Sequence, residues 1–453
     1  MRYGRIFLAA AWLLGSQALR ADSDDAPSLR LQELEQRVRQ LEARAASSLH
    51  TLSPASESPR PAAGPTGFSL SSADGLFRLR LGGYAHADAR FFANDDANQF
   101  NDTFLIRRVR LILEGQFGEP ISFFFMPDFS GGSSRIQDTY VNFALYPRVN
   151  LRVGRTKVPV GLERSQSLST TLFSESGFTT LLTPSYDEGL MLFGSADSGA
   201  WEYAIGVFNG APDGESVESD SNDGKDVAAR FALSPFKNGE HTALRGLLLG
   251  IGASYGKQEG SAKNSGLPSY STSGQNKFFT YRTSENGEPA PRADGDHTRI
   301  APHLYYAVGP IGLLAEYILS QQEVKLGNEA ATSLKNTAWQ ASASWVLTGE
   351  TPSLKGVTPL KPFNPSRAQW GALELKVRAG KLTIDDDTFY GGYADPSKSA
   401  SSASAIGTGL NWYLSRNAKI ALDLEQTVFD GGAPNGADRP DEQVAIARVQ
   451  IAF

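Results

Sequence analysis

From Phe77 to Arg90 the side chains alternate in kind. Phe77, Leu79, Leu81, Ala85, Ala87 and Ala89 are apolar, and Arg78, Arg80, Tyr84, His86, Asp88 and Arg90 stand between them. A period of two puts each set on its own face of a β-strand. The pattern returns where Leu373, Leu375, Val377 and Ala379 oppose Glu374, Lys376 and Arg378, and where Val449, Ile451 and Phe453 oppose Arg448 and Gln450. Sixteen such segments can be traced, approximately 76–93, 104–117, 120–129, 136–146, 149–157, 187–196, 199–209, 225–234, 244–256, 298–309, 311–321, 335–349, 367–384, 404–415, 417–430 and 441–453. Tight turns such as GEP, YPR, DSG, VGP and SRN join one set of neighbours. Longer polar loops at 158–186, 210–224, 257–297 and 385–403 join the other, with 130–135 a short member of the loop set and 235–243 and 350–366 longer than tight turns.

An even number of one-sided strands joined this way predicts an all-β fold, a 16-stranded antiparallel transmembrane β-barrel. In lipid a sheet satisfies every backbone group only by closing on itself. A soluble sandwich would need a second layer over each oily face. Composition agrees with a chain rich in strands and turns, with 45 glycines and 10% aromatic residues. No second apolar run approaches the roughly 18 residues of a membrane helix. The absence of cysteine excludes disulfides, zinc–thiolate sites and cysteine nucleophiles. A net charge of −6 argues against a nucleic-acid partner.

The N-terminus has its own pattern. Arg2 and Arg5 precede the apolar run IFLAAAWLLG, so residues 1–21 read as a secretory signal peptide, cleaved after Ala18 or Ala21. Leu31, Leu34, Val38, Leu41 and Ala45 follow heptad spacing, which predicts a short helical, coiled-coil-like segment over 28–46. Residues 47–67 are rich in Ser, Pro, Ala and Gly and read as a linker, leaving 68–453 for the barrel.

The stretch FLIRRVRLILEG, 104–115, sets arginines inside an apolar strand. Strict alternation places Leu105, Arg107, Val109, Leu111 and Leu113 toward lipid, and Ile106, Arg108, Arg110, Ile112 and Glu114 toward the lumen. Arg108 and Arg110 are then in water. A lipid-facing Arg107 at midplane would cost about 2–4 kcal/mol, so either a bulge turns it inward or it sits at the polar boundary. Arg78, Arg80, Arg90, Arg152, Arg230, Arg378 and Arg448 also fall on polar faces. Cations lining a pore concentrate anions, and guanidinium suits oxyanions because its planar fork donates two parallel hydrogen bonds. The alternative for each arginine is pairing within the wall, with Asp88, Glu114, Asp138, Glu374, Asp423 or Glu425. GIGAS, 250–254, reads as a place where a strand makes room for a loop.

These segments resemble the phosphate-selective porin O/P family. FLIRRVRLILEG is similar to its RRxR strand, and IQDTYVNF followed by VGRTKVPVGLE is similar to its "DAY" strand and "GqfKxPfgLE". WEYAIGVFNG, ARFALSPF, LLAEYILSQQEV and GTGLNWYLSRNAKIALDLE follow in the family's order. The resemblance implies a homotrimeric porin among outer-membrane lipids, with loop 158–186 folded inward. It also implies a cationic constriction or vestibule from Arg107, Arg108, Arg110 and Lys157. With the lumen arginines, the expected pore-lining set is Arg78, Arg80, Arg107, Arg108, Arg110, Lys157 and Arg378. The chain departs from the family in two places: the loop carries Glu163, Arg164 and Glu175 but no lysine, and PSYDEGL puts Asp187 and Glu188 where an arginine is common. The expected function is passive diffusion of small anions, phosphate or polyphosphate foremost, with no cofactor. The alternatives are a weakly selective porin, or a structural barrel whose helix binds envelope partners. The five histidines accompany no nucleophile motif, so catalysis is not expected.

Overall fold

The computed structural model describes residues 35–41, 59–93, 100–216, 222–261, 263–284 and 288–453. The signal-peptide expectation lies outside them. Of the heptad segment, residues 35–41 are described; they are helical, with Val38 and Leu41 exposed. Residues 1–58 and 59–453 are separate units.

Among the described residues, twenty strands form in the second unit. They are β1 Arg60–Gly64, β2 Gly67–Ser71, β3 Phe77–Ala93, β4 Thr103–Phe117, β5 Ile121–Asp128, β6 Arg135–Tyr146 and β7 Val149–Lys157. Then come β8 Tyr186–Ser195, β9 Trp201–Phe208, β10 Asp226–Leu233, β11 Leu247–Glu259, β12 Ser269–Ser271 and β13 Lys277–Thr280. The last seven are β14 Pro291–Val308, β15 Ile311–Leu326, β16 Thr332–Val346, β17 Ala372–Thr383, β18 Ala400–Tyr413, β19 Ala418–Gly431 and β20 Glu442–Ala452.

Sixteen of these, β3–β11 and β14–β20, pair antiparallel with their neighbours in turn, and β20 closes the barrel on β3 from Gln443↔Ala93 to Ala452↔Tyr84. They are the sixteen segments read from alternation. The faces follow the same phase: Ile406, Leu424 and Val377 point out and are exposed, while Arg299, Arg448 and Lys376 point in and are buried. That is the inverse of a soluble protein and is what a lipid solvent selects. Beyond the end of β20, β2 takes over the edge of β3, pairing Ser71↔Arg78 to Phe68↔Leu81. Residues 60–64, read as linker, instead form β1, which pairs with β2.

Two long loops fill much of the interior. Residues 158–185 run from β7 to β8 and include a short helix, Leu162–Ser165, and a 3-10 turn, Phe178–Leu182. Gly252 of GIGAS makes room for this loop, since a Cβ there would lie 1.9 Å from the Val160 carbonyl oxygen. The loop between β11 and β14 carries the β12–β13 hairpin, whose surrounding Tyr270, Phe278, Phe279 and Tyr281 are buried with Phe178 and Phe429. The sequence reading held no such hairpin.

Candidate functional site

The arginines of β4 are placed by a bulge. His86 pairs with Arg108 and Ala87 with Ile106, so Arg107 is the extra residue opposite β3. The extra residue reverses the strand's phase on its N-terminal side. Ile106, expected in the lumen, therefore stands opposite Ala87 and faces outward at 57% exposure, and Leu105, expected to face lipid, stands opposite the buried Asp88 and turns inward. Arg107 and Arg108 both point inward.

They meet Glu175 of the inward loop. Arg107 donates to its carboxylate through Nε at 2.8 Å and Nη2 at 3.2 Å, and Arg108 through Nη2 at 3.2 Å. Arg90 of β3 and Arg448 of β20 add Nη2 bonds of 3.0 and 2.8 Å. Asp88 accepts from the same two residues, at 3.2 Å from Arg90 and at 2.6 and 2.7 Å from Arg448. Burial alone would raise the Glu175 carboxyl, but Arg108, Arg107, Arg448 and Arg90 outweigh it and hold the group well below the usual glutamate value.

The rest of the loop is fastened mainly to the far wall. Glu316 of β15 accepts from the backbone N–H of Leu162 at 2.5 Å and from the Thr179 hydroxyl at 3.1 Å. Glu163 accepts from the Gly177 N–H at 3.0 Å and from Gln340 of β16 at 2.7 Å. Asp423 of β19 accepts from the Ser174 N–H at 2.8 Å, and Arg378 of β17 donates to the Glu175 carbonyl at 2.9 Å. The Lys376 ammonium and the Arg378 guanidinium lie 4.8 and 4.4 Å from the Phe173 ring centroid. Residues within 162–179 of the loop therefore meet charge-assisted or cation–π partners.

The opposite wall stays open. A cavity of about 350 Å³ on the long-loop side is lined by Arg107, Arg108, Arg110, Arg135, Lys157 and Arg164, with Asp128 and Glu163 as its acids. A second, of about 650 Å³, reaches the short-turn side and is lined by Tyr140, Arg152, Phe193 and Arg230 among others. Both are bordered by Lys157, Leu168 and Tyr186. Arg152 stacks on Tyr140, with its guanidinium carbon 3.7 Å from the ring centroid. Arg110 donates to Asp128 at 2.8 Å and to the hydroxyls of Tyr84 and Tyr186 at 2.9 and 3.2 Å.

The expected pore-lining residues thus divide. Arg107, Arg108, Arg110 and Lys157 gather around the smaller cavity. Arg378 lies across the barrel, paired with Glu425 at 2.6 Å. Arg78 and Arg80 lie at the short-turn end of β3; Arg78 is exposed and Arg80 pairs with Glu114. Pairing within the wall also occurs as Arg448–Asp88 and Lys376–Asp423. Asp187 of PSYDEGL accepts from the N–H groups of Gly210 and Ala211 at 2.8 and 3.0 Å, so it fastens the loop after β9. The hub role of Glu175, and the part of Arg90 and Arg448 in it, were not foreseen.

A closed antiparallel barrel with an apolar outer face, a charged interior and an inward loop defines an outer-membrane β-barrel channel. The chain belongs to the phosphate-selective porin O and P family, whose model matches residues 79–453. The outer membrane channel DcaP of Acinetobacter baumannii has a similar fold, at 11% identity and TM-score 0.54, over 83% of this chain and 97% of that one. OmpT of Vibrio cholerae is similar at 8% identity and TM-score 0.52, over 83% and 98%. OprB of Pseudomonas putida is similar at 10% identity and TM-score 0.50, over 84% and 95%. At these identities the likeness concerns the fold alone. Among curated proteins, none matches the sequence.

Proposed function

We propose that this porin passes small anions by passive diffusion, with inorganic phosphate or polyphosphate the leading candidates. The observation that carries the reading is the cavity of about 350 Å³, where Arg107, Arg108, Arg110, Arg135, Lys157 and Arg164 outnumber Asp128 and Glu163. An excess of fixed cations in a low-dielectric vestibule raises the local anion concentration. Loop 158–185 narrows the path where the two cavities meet, at Lys157, Leu168 and Tyr186. Residues 1–21 direct export, and the porin assembles as a homotrimer.

A second reading, a weakly selective porin, is favoured by one observation. Arg107, Arg108 and Arg110 each have a carboxylate partner, Glu175 or Asp128, which offsets part of the charge. A reversal potential across a chloride gradient in a planar bilayer, repeated with inorganic phosphate as competitor, separates the two. Anion preference with phosphate block is the expected result. Anion preference without block leaves the weakly selective pore, and cation preference ends the anion hypothesis. Arg108→Gln with Arg110→Gln is expected to reduce anion preference.

A further inference from the structure

The arginine cluster has more donors than its acids can use. Four guanidiniums, Arg90, Arg107, Arg108 and Arg448, share two carboxylates, Asp88 and Glu175. Oε1 of Glu175 alone accepts from three of them, at 3.0, 2.8 and 2.8 Å. Nε of Arg90 is buried and has no hydrogen-bond partner among the described residues. A carboxylate offers two oxygens, whereas a tetrahedral oxyanion offers four and can carry two charges. Other donors meet neutral acceptors, Arg107 Nη2 the Gln275 side chain, Arg90 Nη1 the Gly274 carbonyl and Arg448 Nη1 the Ser174 carbonyl, so four guanidinium charges still face only two carboxylates.

It also has an entrance. Arg107 is about a quarter exposed, at 26% of its side chain, while its partner Glu175 is almost wholly buried. Arg107, Arg108 and Ser176, the residue after Glu175, line the cavity of about 350 Å³. An anion entering that cavity meets the outer donors of the cluster before it meets the carboxylate.

We propose that Glu175 is a tethered competitor: its carboxylate occupies a four-arginine site that takes a free tetrahedral oxyanion from the adjoining cavity, and the two exchange. The proposal rests on the anion-channel reading and adds to it the occupant that entering ions must displace. Asp88 stays on Arg448, so the exchange concerns the loop carboxylate only.

The test is the block of chloride current by inorganic phosphate, measured on the full-length channel in planar bilayers. A ligand site that is free for a tenth of the time binds about tenfold more weakly than the same site left open. Glu175→Gln is therefore expected to lower the half-blocking phosphate concentration by about tenfold or more. Glu175→Asp keeps the charge but withdraws it by one methylene, and is expected to move the same way by less. It serves as the second variant should Glu175→Gln fail to insert. A half-blocking concentration unchanged in both variants, or no block in any of the three proteins, overturns the competitor. If the wild-type pore prefers cations, it is the parent reading that fails.

Discussion

Arg107 of β4 and Glu175 of the inward loop are joined by two hydrogen bonds, from Nε at 2.8 Å and Nη2 at 3.2 Å, because Arg107 is the one residue by which β4 exceeds its partner. Without the bulge, Arg107 would point to lipid. With it, the strand presents arginines inward at consecutive positions, which regular alternation cannot do.

The bulge makes a reciprocal prediction for its neighbours. Ile106 faces outward at 57% exposure, and Leu105 stands opposite the buried, inward Asp88. Ile106→Arg is expected to destabilise the folded barrel by about 2–4 kcal/mol if near midplane, and Leu105→Arg by clearly less. Urea unfolding in lipid vesicles measures both; the opposite order would show that the phase is regular.

Arg299 of β14 fastens the loop after β9. It is fully buried, donating to Asp213 at 2.6 Å, to Asp226 at 3.2 Å and to the Ala211 carbonyl at 2.8 Å. Arg299→Ala leaves two buried carboxylates without that partner, and is expected to cost about 3–5 kcal/mol. A loss near zero on urea unfolding would mean that water replaces the guanidinium.

At Gly252 the start of the inward loop passes close against the barrel wall, 1.9 Å from a would-be Cβ to the Val160 oxygen. Gly252→Ala is expected to displace the start of the loop while leaving strand pairing in place. Single-channel conductance should change, and heat resistance of the barrel should not. Wild-type conductance in this variant would place the loop's hold elsewhere.

Acid should act late. Burial opposes ionisation of Glu175 and Asp213, yet Arg108, Arg107, Arg448 and Arg90 for the first, and Arg299 for the second, keep both carboxyls below their ordinary values of 4.5 and 3.8. A carboxyl depressed by folding contributes stability above its unfolded value and loses it only as pH falls through its folded value. The contacts of Glu175 and Asp213 with their arginines are thus expected to hold from about pH 7 to about pH 5 and to be lost only below about pH 4. The difference in conductance between the wild type and Glu175→Gln, recorded against pH, checks the first; a difference that has already vanished near pH 6 would contradict it.

The barrel was legible because its signal is local. Period two, turn residues and loop length each sit within about a dozen residues, and lipid on one side makes the alternation strict. Even the irregularity at Arg107 announced itself as a charge on the wrong face. The hub was not legible, because phase says that Arg90 and Arg448 point inward but not which loop residue comes to meet them. Arg448 and Glu175 lie far apart in sequence and are joined only by barrel closure. The β12–β13 hairpin did leave a signal: Tyr270, Phe278, Phe279 and Tyr281 are unusually aromatic for a polar loop. The β1–β2 hairpin left almost none, since RPAAG looks like linker.

The inward loop leans on β15–β20 and the first two barrel strands, while the open cavities run along β4–β9. On the proposed anion-channel reading, holding the plug and touching the cargo are thus largely separate duties, divided around the circumference. On that reading, substitutions at Arg135, Tyr140, Arg152 or Phe193 would retune what passes without loosening what holds, and an evolving lineage could change its diet on one arc of the wall and keep the other untouched.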